Sequence, residues 1–211
     1  MNGGRVGASG INRQVAVLFA RGDSVYKSLD GCDVWDEARD ARNWPGGCPV
    51  VAHPPCRAWG KLKAFAKPRP HEKDLARMAV NHVRKWGGVL EHPATSTLWQ
   101  DMGLPRPGAT DAHSGWTLAI RQSWFGHRAE KATWLYIVGV GAREIPALPF
   151  TLGRGRVEVQ NMGHAEREHT PRDLALWLCE LARKTKSPAQ VTGGAGGPVA
   201  INRAGKGGER C

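Results

Sequence analysis

Reactive side chains crowd one short stretch of this chain. The run Val50-Val51-Ala52-His53-Pro54-Pro55-Cys56-Arg57-Ala58-Trp59-Gly60 begins as an apolar strand and is stopped by two prolines. The chain must leave the sheet stiff and extended at His53–Pro55, which presents Cys56 on a rigid loop just past a strand's carboxyl end. Ligands of open α/β sheets bind at that edge. Arg57 beside the thiol, with Lys61 and Lys63 close behind, is expected to favour the nucleophilic thiolate. The competing reading is a plain turn holding a small buried cysteine.

A second strand end repeats the pattern. Val89-Leu90 is a short apolar run closed by Glu91-His92-Pro93, so a carboxylate takes the place that the thiol has in the first. Alone, Glu91 reads as a helix cap or an ion-pair partner; beside Cys56 it becomes the second group of a shared crevice. Two basic segments flank the pair. Lys61, Lys63, Lys67 and Arg69, with Trp59 and Phe65 interleaved, suit a nucleic-acid backbone, or else form a mobile surface loop. The polar loop at 122–133 carries Arg128, Lys131 and Thr133 just before another strand, where cations can bind phosphate or a substrate carbonyl. Asp36, at the end of the second strand, can accept from a ribose or an amino acid group, while Arg21-Gly22-Asp23-Ser24 reads as a plain turn with a single glycine.

The elements that must hold these groups follow in order. Strands are expected at 14–20, 32–36, 50–52, 89–90, 116–120 and 134–138. The clearest helix spans 71–86, with apolar positions at three- and four-residue spacing and Gly87-Gly88 ending it. A short helix is expected at 94–102, and strand-like pieces around Gly153 and Gly155. A last helix begins at Thr170-Pro171, with Thr170 as N-cap and Leu174, Leu178 and Leu181 on its apolar face, and runs to about Lys184. Residues 1–12 and the Gly-rich basic tail 185–211 are expected to be disordered, leaving one α/β domain over 13–184.

Composition narrows the partners. The 211 residues suffice for one α/β core. No apolar run approaches the roughly 20 residues of a membrane span, and the first ten residues lack an apolar signal core, so no membrane association and a cytoplasmic location are expected. Five cysteines without CxxC spacing suggest neither a disulfide framework nor a zinc site. The net charge of +11 points to an anionic partner, most simply nucleic acid, and most of it lies outside the tail. Of nine tryptophans most should be core, with one or two free to stack on bases.

With these pieces in place, the chain resembles the DNA (cytosine-5) methyltransferase family, especially small phage-encoded members. Pro54-Pro55-Cys56 resembles the family's Pro-Pro-Cys loop, Glu91-His92-Pro93 its Glu-Asn-Val segment, and the stretch from Phe125-Gly126 through Arg128, Lys131 and Thr133 to Leu135 its Phe-Gly…Lys-x-Thr-x-Leu segment. Order and spacing agree over residues 14–184. The resemblance implies a single Rossmann-like, three-layer domain with a mostly parallel sheet. It also implies a covalent mechanism: Cys56 adds to C6 of a pyrimidine, Glu91 binds and protonates N3, and C5 attacks the methyl group of S-adenosyl-L-methionine, with the base flipped from the duplex. Arg128 joins Cys56 and Glu91 as a catalytic residue. Pro55, Arg57, Trp59, Lys61, Lys131 and Thr133 contact the substrate, and Phe19, Asp23 and Asp36 match the cofactor positions loosely. In the host cell a phage-encoded member would act in the cytoplasm. Three departures stand out: the Phe-x-Gly-x-Gly motif is reduced to Phe19-Ala20-Arg21-Gly22-Asp23, no target-recognition domain fits between residues 138 and 170, and the late Gly-Asn segment has no match at Asn161-Met162-Gly163. Two alternatives remain open: a C5 modification that uses another donor, and a nucleic-acid-binding relative without catalysis.

Overall fold

The structure, a computed structural model, describes residues 13–60, 63, 66–149, 157–158 and 161–186. Six strands form one sheet in the order β2-β1-β3-β4-β6-β5. They are β1 (Val15–Leu18), β2 (Cys32–Trp35), β3 (Val50–Ala52), β4 (Gly88–Pro93), β5 (Trp116–Arg121) and β6 (Ala132–Val138). The first four are mutually parallel. β6 runs antiparallel to both β4 and β5, so a single strand is reversed.

The short parallel strands are apolar on both faces because both are covered. On one side, Ala16, Leu18, Val50, Ala52 and Leu90 meet Ala76, Ala79, Val80 and Val83 of α1 (Glu72–Trp86). On the other, Val15, Val17, Val51, Val89, Leu135 and Ile137 meet Leu174, Leu178 and Leu181 of the last helix, Arg172–Lys184. The result is an α/β domain with a mostly parallel sheet between helices. Backbones approach closely where β4 begins: Gly88 has φ +120°, and a Cβ there would lie 2.0 Å from the carbonyl oxygen of Val50.

Several boundaries differ from the sequence expectation. Only one turn of 3-10 helix, Val25–Ser28, joins β1 to β2, as the short connection requires. The helix expected at 94–102 shrinks to α2 (Leu98–Asp101), and an unexpected short α3 (His164–Glu168) precedes the last helix, which is therefore α4. Pro171, not Thr170, is the N-cap of α4: its ψ of 144° leaves it outside the helix, while its carbonyl accepts from Ala175 N at 2.9 Å. Thr185 and Lys186 extend the domain beyond 184, since Thr185 is buried and Lys186 N donates to Gly139 O at 2.9 Å. The expected disordered stretches 1–12 and 187–211, and the strand pieces around Gly153 and Gly155, lie outside the described residues. None of the helices described is long and apolar enough to cross a membrane.

Candidate active site at the strand ends

The strand order reverses at β1, with β2 on one side and β3 on the other. In a parallel sheet such a reversal opens a crevice at the carboxyl edge. The Pro-Pro-Cys loop leaves β3 at this edge, with His53 N donating to Leu18 O at 3.0 Å. Alternation along β4 sends Val89 and Glu91 to the α4 side of the sheet, and Leu90 and His92 to the α1 side.

Glu91 is held at both oxygens. Oε1 accepts from Gln122 Nε2 at 2.9 Å, and Oε2 lies 3.2 Å from His53 Nδ1. His53 Nε2 in turn lies 2.8 Å from the hydroxyl of the fully buried Tyr26. One assignment uses every proton in this chain: Tyr26 O–H donates to Nε2, and His53 Nδ1–H donates to the carboxylate. Burial alone would raise the Glu91 carboxyl, but the His53 hydrogen bond and the charge of Lys131 oppose it and hold the pKa at about 2. Glu91 is therefore an anion at neutral pH.

Cys56 is exposed, and its surroundings keep it a thiol. Loss of hydration and the negative charge of Glu91 push its pKa above that of an ordinary cysteine, while Lys131 pulls the other way. The expectation that Arg57 favours the thiolate is corrected. Its Nε bonds to Oε1 of the buried Glu72 at 2.7 Å, so its charge is spent on the first turn of α1. Arg57 anchors the loop instead of activating the thiol.

The remaining predicted residues separate into two groups. Lys131 belongs to the site: half-buried, with φ +33°, it acts electrostatically on both Cys56 and Glu91. The reversal of β6 brings it there, because the amino end of that strand lies against the carboxyl end of β4, with Thr133 opposite Pro93. Thr133 is fully buried and positions Gln122, whose Nε2 donates to its Oγ1 at 3.1 Å; it does not line a substrate surface. Pro55 is half-buried within the loop. Arg128 is exposed and paired with Glu166 Oε1 at 3.0 Å. Trp59 is a core residue at 2% exposure, and Lys73 and Arg77 sit 5.4 Å above its ring, so stacking on a base is excluded in this conformation. Lys61 and Phe65 lie outside the described residues, and Lys63 and Lys67 are exposed.

The cofactor positions do not fit their expected role. Asp36 turns its buried carboxylate back on its own loop: Oδ1 accepts from Ala38 N and Arg39 N, and Oδ2 pairs with Lys27 at 2.7 Å. Asp23 is paired with Arg21 at 2.9 Å and His169 at 3.0 Å. Phe19 is partly buried, at φ +62°, where β1 ends. A Cβ on Gly22 would meet nothing within 4 Å, so this glycine is not required by close packing. As placed, neither carboxylate is free to hold S-adenosyl-L-methionine.

His53, Tyr26 and Gln122 were not singled out by the sequence. His53 was visible as the last polar residue before Pro54; Tyr26 and Gln122 carried no signal, because the connections that deliver them have no periodicity. No family model, curated protein or solved structure matches this chain.

Proposed function

We propose that this protein modifies a pyrimidine base of nucleic acid, most simply cytosine in DNA, through a covalent adduct of Cys56 to ring carbon C6. The observation that carries the reading is geometric: β3 and β4 lie side by side and parallel, and Glu91 at the end of β4 is 3.2 Å from His53, the residue that leads into the Cys56 loop. In this scheme the thiol begins protonated and the carboxylate ionised. Cys56 passes its proton to Glu91 as the C6–S bond forms. The C5=C6 electrons move through the ring toward N3, and N3 takes the proton from Glu91. The charge of the ring is thus never left unpaired, and C5 becomes an enamine-like nucleophile. Lys131 stabilises negative charge on the ring carbonyl or on phosphate. A duplex target must be flipped out to reach the crevice. The Rossmann-like methyltransferase form of the fold belongs to this same reading, supported by the parallel strands and the reversal of order at β1.

The paired carboxylates of Asp23 and Asp36 favour a second form of the reading, in which the group added at C5 comes from a donor other than S-adenosyl-L-methionine. Calorimetry with S-adenosyl-L-methionine separates the two forms: binding supports the methyltransferase, and its absence beside an active thiol supports another donor. The adduct itself is tested without any donor, by release of tritium from DNA labelled at cytosine C5. Wild-type protein should release it, and Cys56→Ser and Glu91→Gln should not. Release that survives Glu91→Gln removes the assigned acid, and DNA binding with no release by the wild type leaves only a binding protein.

A further inference from the structure

We propose that His53, fixed by Tyr26, is a positioning residue for Glu91: it aims Oε2 and fixes the plane of the carboxylate that takes the thiol's proton. This rests on the reading of Cys56 and Glu91 as the reacting pair. Three observations carry it. First, among the described residues His53 makes the only hydrogen bond to Oε2, while Gln122 holds Oε1, so the two contacts together fix the carboxyl plane. Second, the His53 ring is itself fixed at both ends. Its backbone is tied to Leu18 O and restricted by Pro54, and its far nitrogen meets the Tyr26 hydroxyl at 2.8 Å. Third, Tyr26 is 1% exposed, and among the described residues His53 is the partner of its hydroxyl, so the phenol has a hydrogen-bonding reason to be buried here.

His53 keeps its own proton throughout. Cys56 S–H gives its proton to Glu91, the C6–S bond forms, and Glu91 hands the proton to N3 and returns to the carboxylate. The Nδ1–H bond makes Glu91 a weak base in the empty site and a ready proton donor once it has been protonated. The charged and titratable groups acting on Glu91 are His53, Lys131 and His92, with the Cys56 thiol and the Tyr26 hydroxyl also in its field. Removing the His53 N–H leaves burial opposed mainly by Lys131, so the carboxyl should titrate at higher pH.

The test uses the full chain and two measurements. Titration of the Glu91 side-chain carboxyl carbon by NMR should show an upward shift in His53→Leu and little change in His53→Asn, whose amide N–H can stand in for Nδ1–H. Adduct formation on a DNA oligonucleotide containing 2-pyrimidinone needs no donor. Its rate should drop about 10- to 100-fold at pH 6 in His53→Leu, with a new acidic limb between pH 5 and 7. His53→Asn should restore the wild-type profile, and Tyr26→Phe should give a smaller change of the same shape. An unshifted Glu91 titration in His53→Leu overturns the proposal, and so does a pH profile that only falls in height. If the wild type forms no adduct, the reading of the reacting pair fails, and the carboxyl titration alone decides whether His53 controls Glu91. Should His53→Leu not fold, the comparison of His53→Asn and Tyr26→Phe with the wild type decides it.

Discussion

Gln122 and Glu91 meet across the β4–β6–β5 half of the sheet, the amide nitrogen 2.9 Å from the carboxylate. The same nitrogen reaches Thr133 at 3.1 Å, so one buried side chain couples the carboxylate to the start of β6. Gln122→Leu keeps the volume and removes both donors. It should lower stability by about 1–3 kcal/mol, read as a lower urea midpoint at unchanged slope. An unchanged midpoint would mean that the amide is not needed to hold the carboxylate.

Cys56 and its two charged neighbours give a prediction with opposite signs. The anion of Glu91 raises the thiol pKa and the cation of Lys131 lowers it. At pH 8, alkylation of Cys56 by iodoacetamide, followed by peptide mass spectrometry, should therefore be faster in Glu91→Gln and slower in Lys131→Met than in the wild type. If both variants move the same way, the thiol does not sit in the field of this pair.

His92 makes the protein sensitive to acid through the fold alone. It is fully buried, and neither ring nitrogen has a hydrogen-bond partner among the described residues. Burial holds its pKa at about 4, against 6.5 for a free histidine. The unfolded chain therefore binds this proton first. Stability is complete above pH 6.5 and falls as the pH drops toward 4, by about 3 kcal/mol in all. Glu91 acts in a lower window, from 4.5 to about 2, where its stabilising ionised form is lost. Denaturation of wild type and His92→Phe at pH 7 and pH 5 isolates the histidine: the variant should lose less stability than the wild type between the two.

Gly88→Ala tests the close approach of β3 and β4. The new Cβ would meet Val50 O at 2.0 Å and Val50 N at 2.6 Å, both of them backbone, at a φ of +120°. A loss of about 3 kcal/mol or more is expected, or roughly 6–12 °C in Tm for a chain of this size.

Much of the framework was legible in the sequence because it rests on local signals. The β3 and β4 runs, the two prolines after His53 and the 3.6-residue pattern of α1 each declare an element within a few residues. The direction of β6 was not legible, since an apolar run looks the same whichever way it is traversed, and that direction is what brings Lys131 to the thiol. The misplacement of Trp59 and Arg57 has a similar cause. Next to a reactive cysteine, an aromatic and a cation suggest a ligand, yet Trp59 fills the space under α1 and Arg57 is claimed by Glu72 from fifteen positions further along. Long-range acids such as Glu72, Glu166 and His-paired Asp23 decide which cations remain available, and no spacing rule reveals them.

The proposed binding to nucleic acid should be strongly dependent on salt, given the net charge of +11. Each phosphate contact contributes about −0.9 to the slope of log affinity against log salt. Neutralising Lys61, Lys63 and Lys67 together should flatten that slope by about 2–3, measured by fluorescence anisotropy on a labelled oligonucleotide. An affinity that does not respond to salt would remove the basic loop from the interaction.

The single reversed strand has a consequence for how such a protein can diversify. The parallel strands deliver the sulfur, the imidazole and the carboxylate, while the turn between Gln122 and Lys131 hangs from a hairpin closed by its own ladder. Phe125 and Ala129 of that turn are buried, and the Phe125 ring lies 5.7 Å from Trp177 of α4, so only the exposed positions Gly126 and Arg128 can change without disturbing the core. The turn that borders the carboxylate is thus also a clasp between the hairpin and α4, and a change at its tip is free where a change at its base is not.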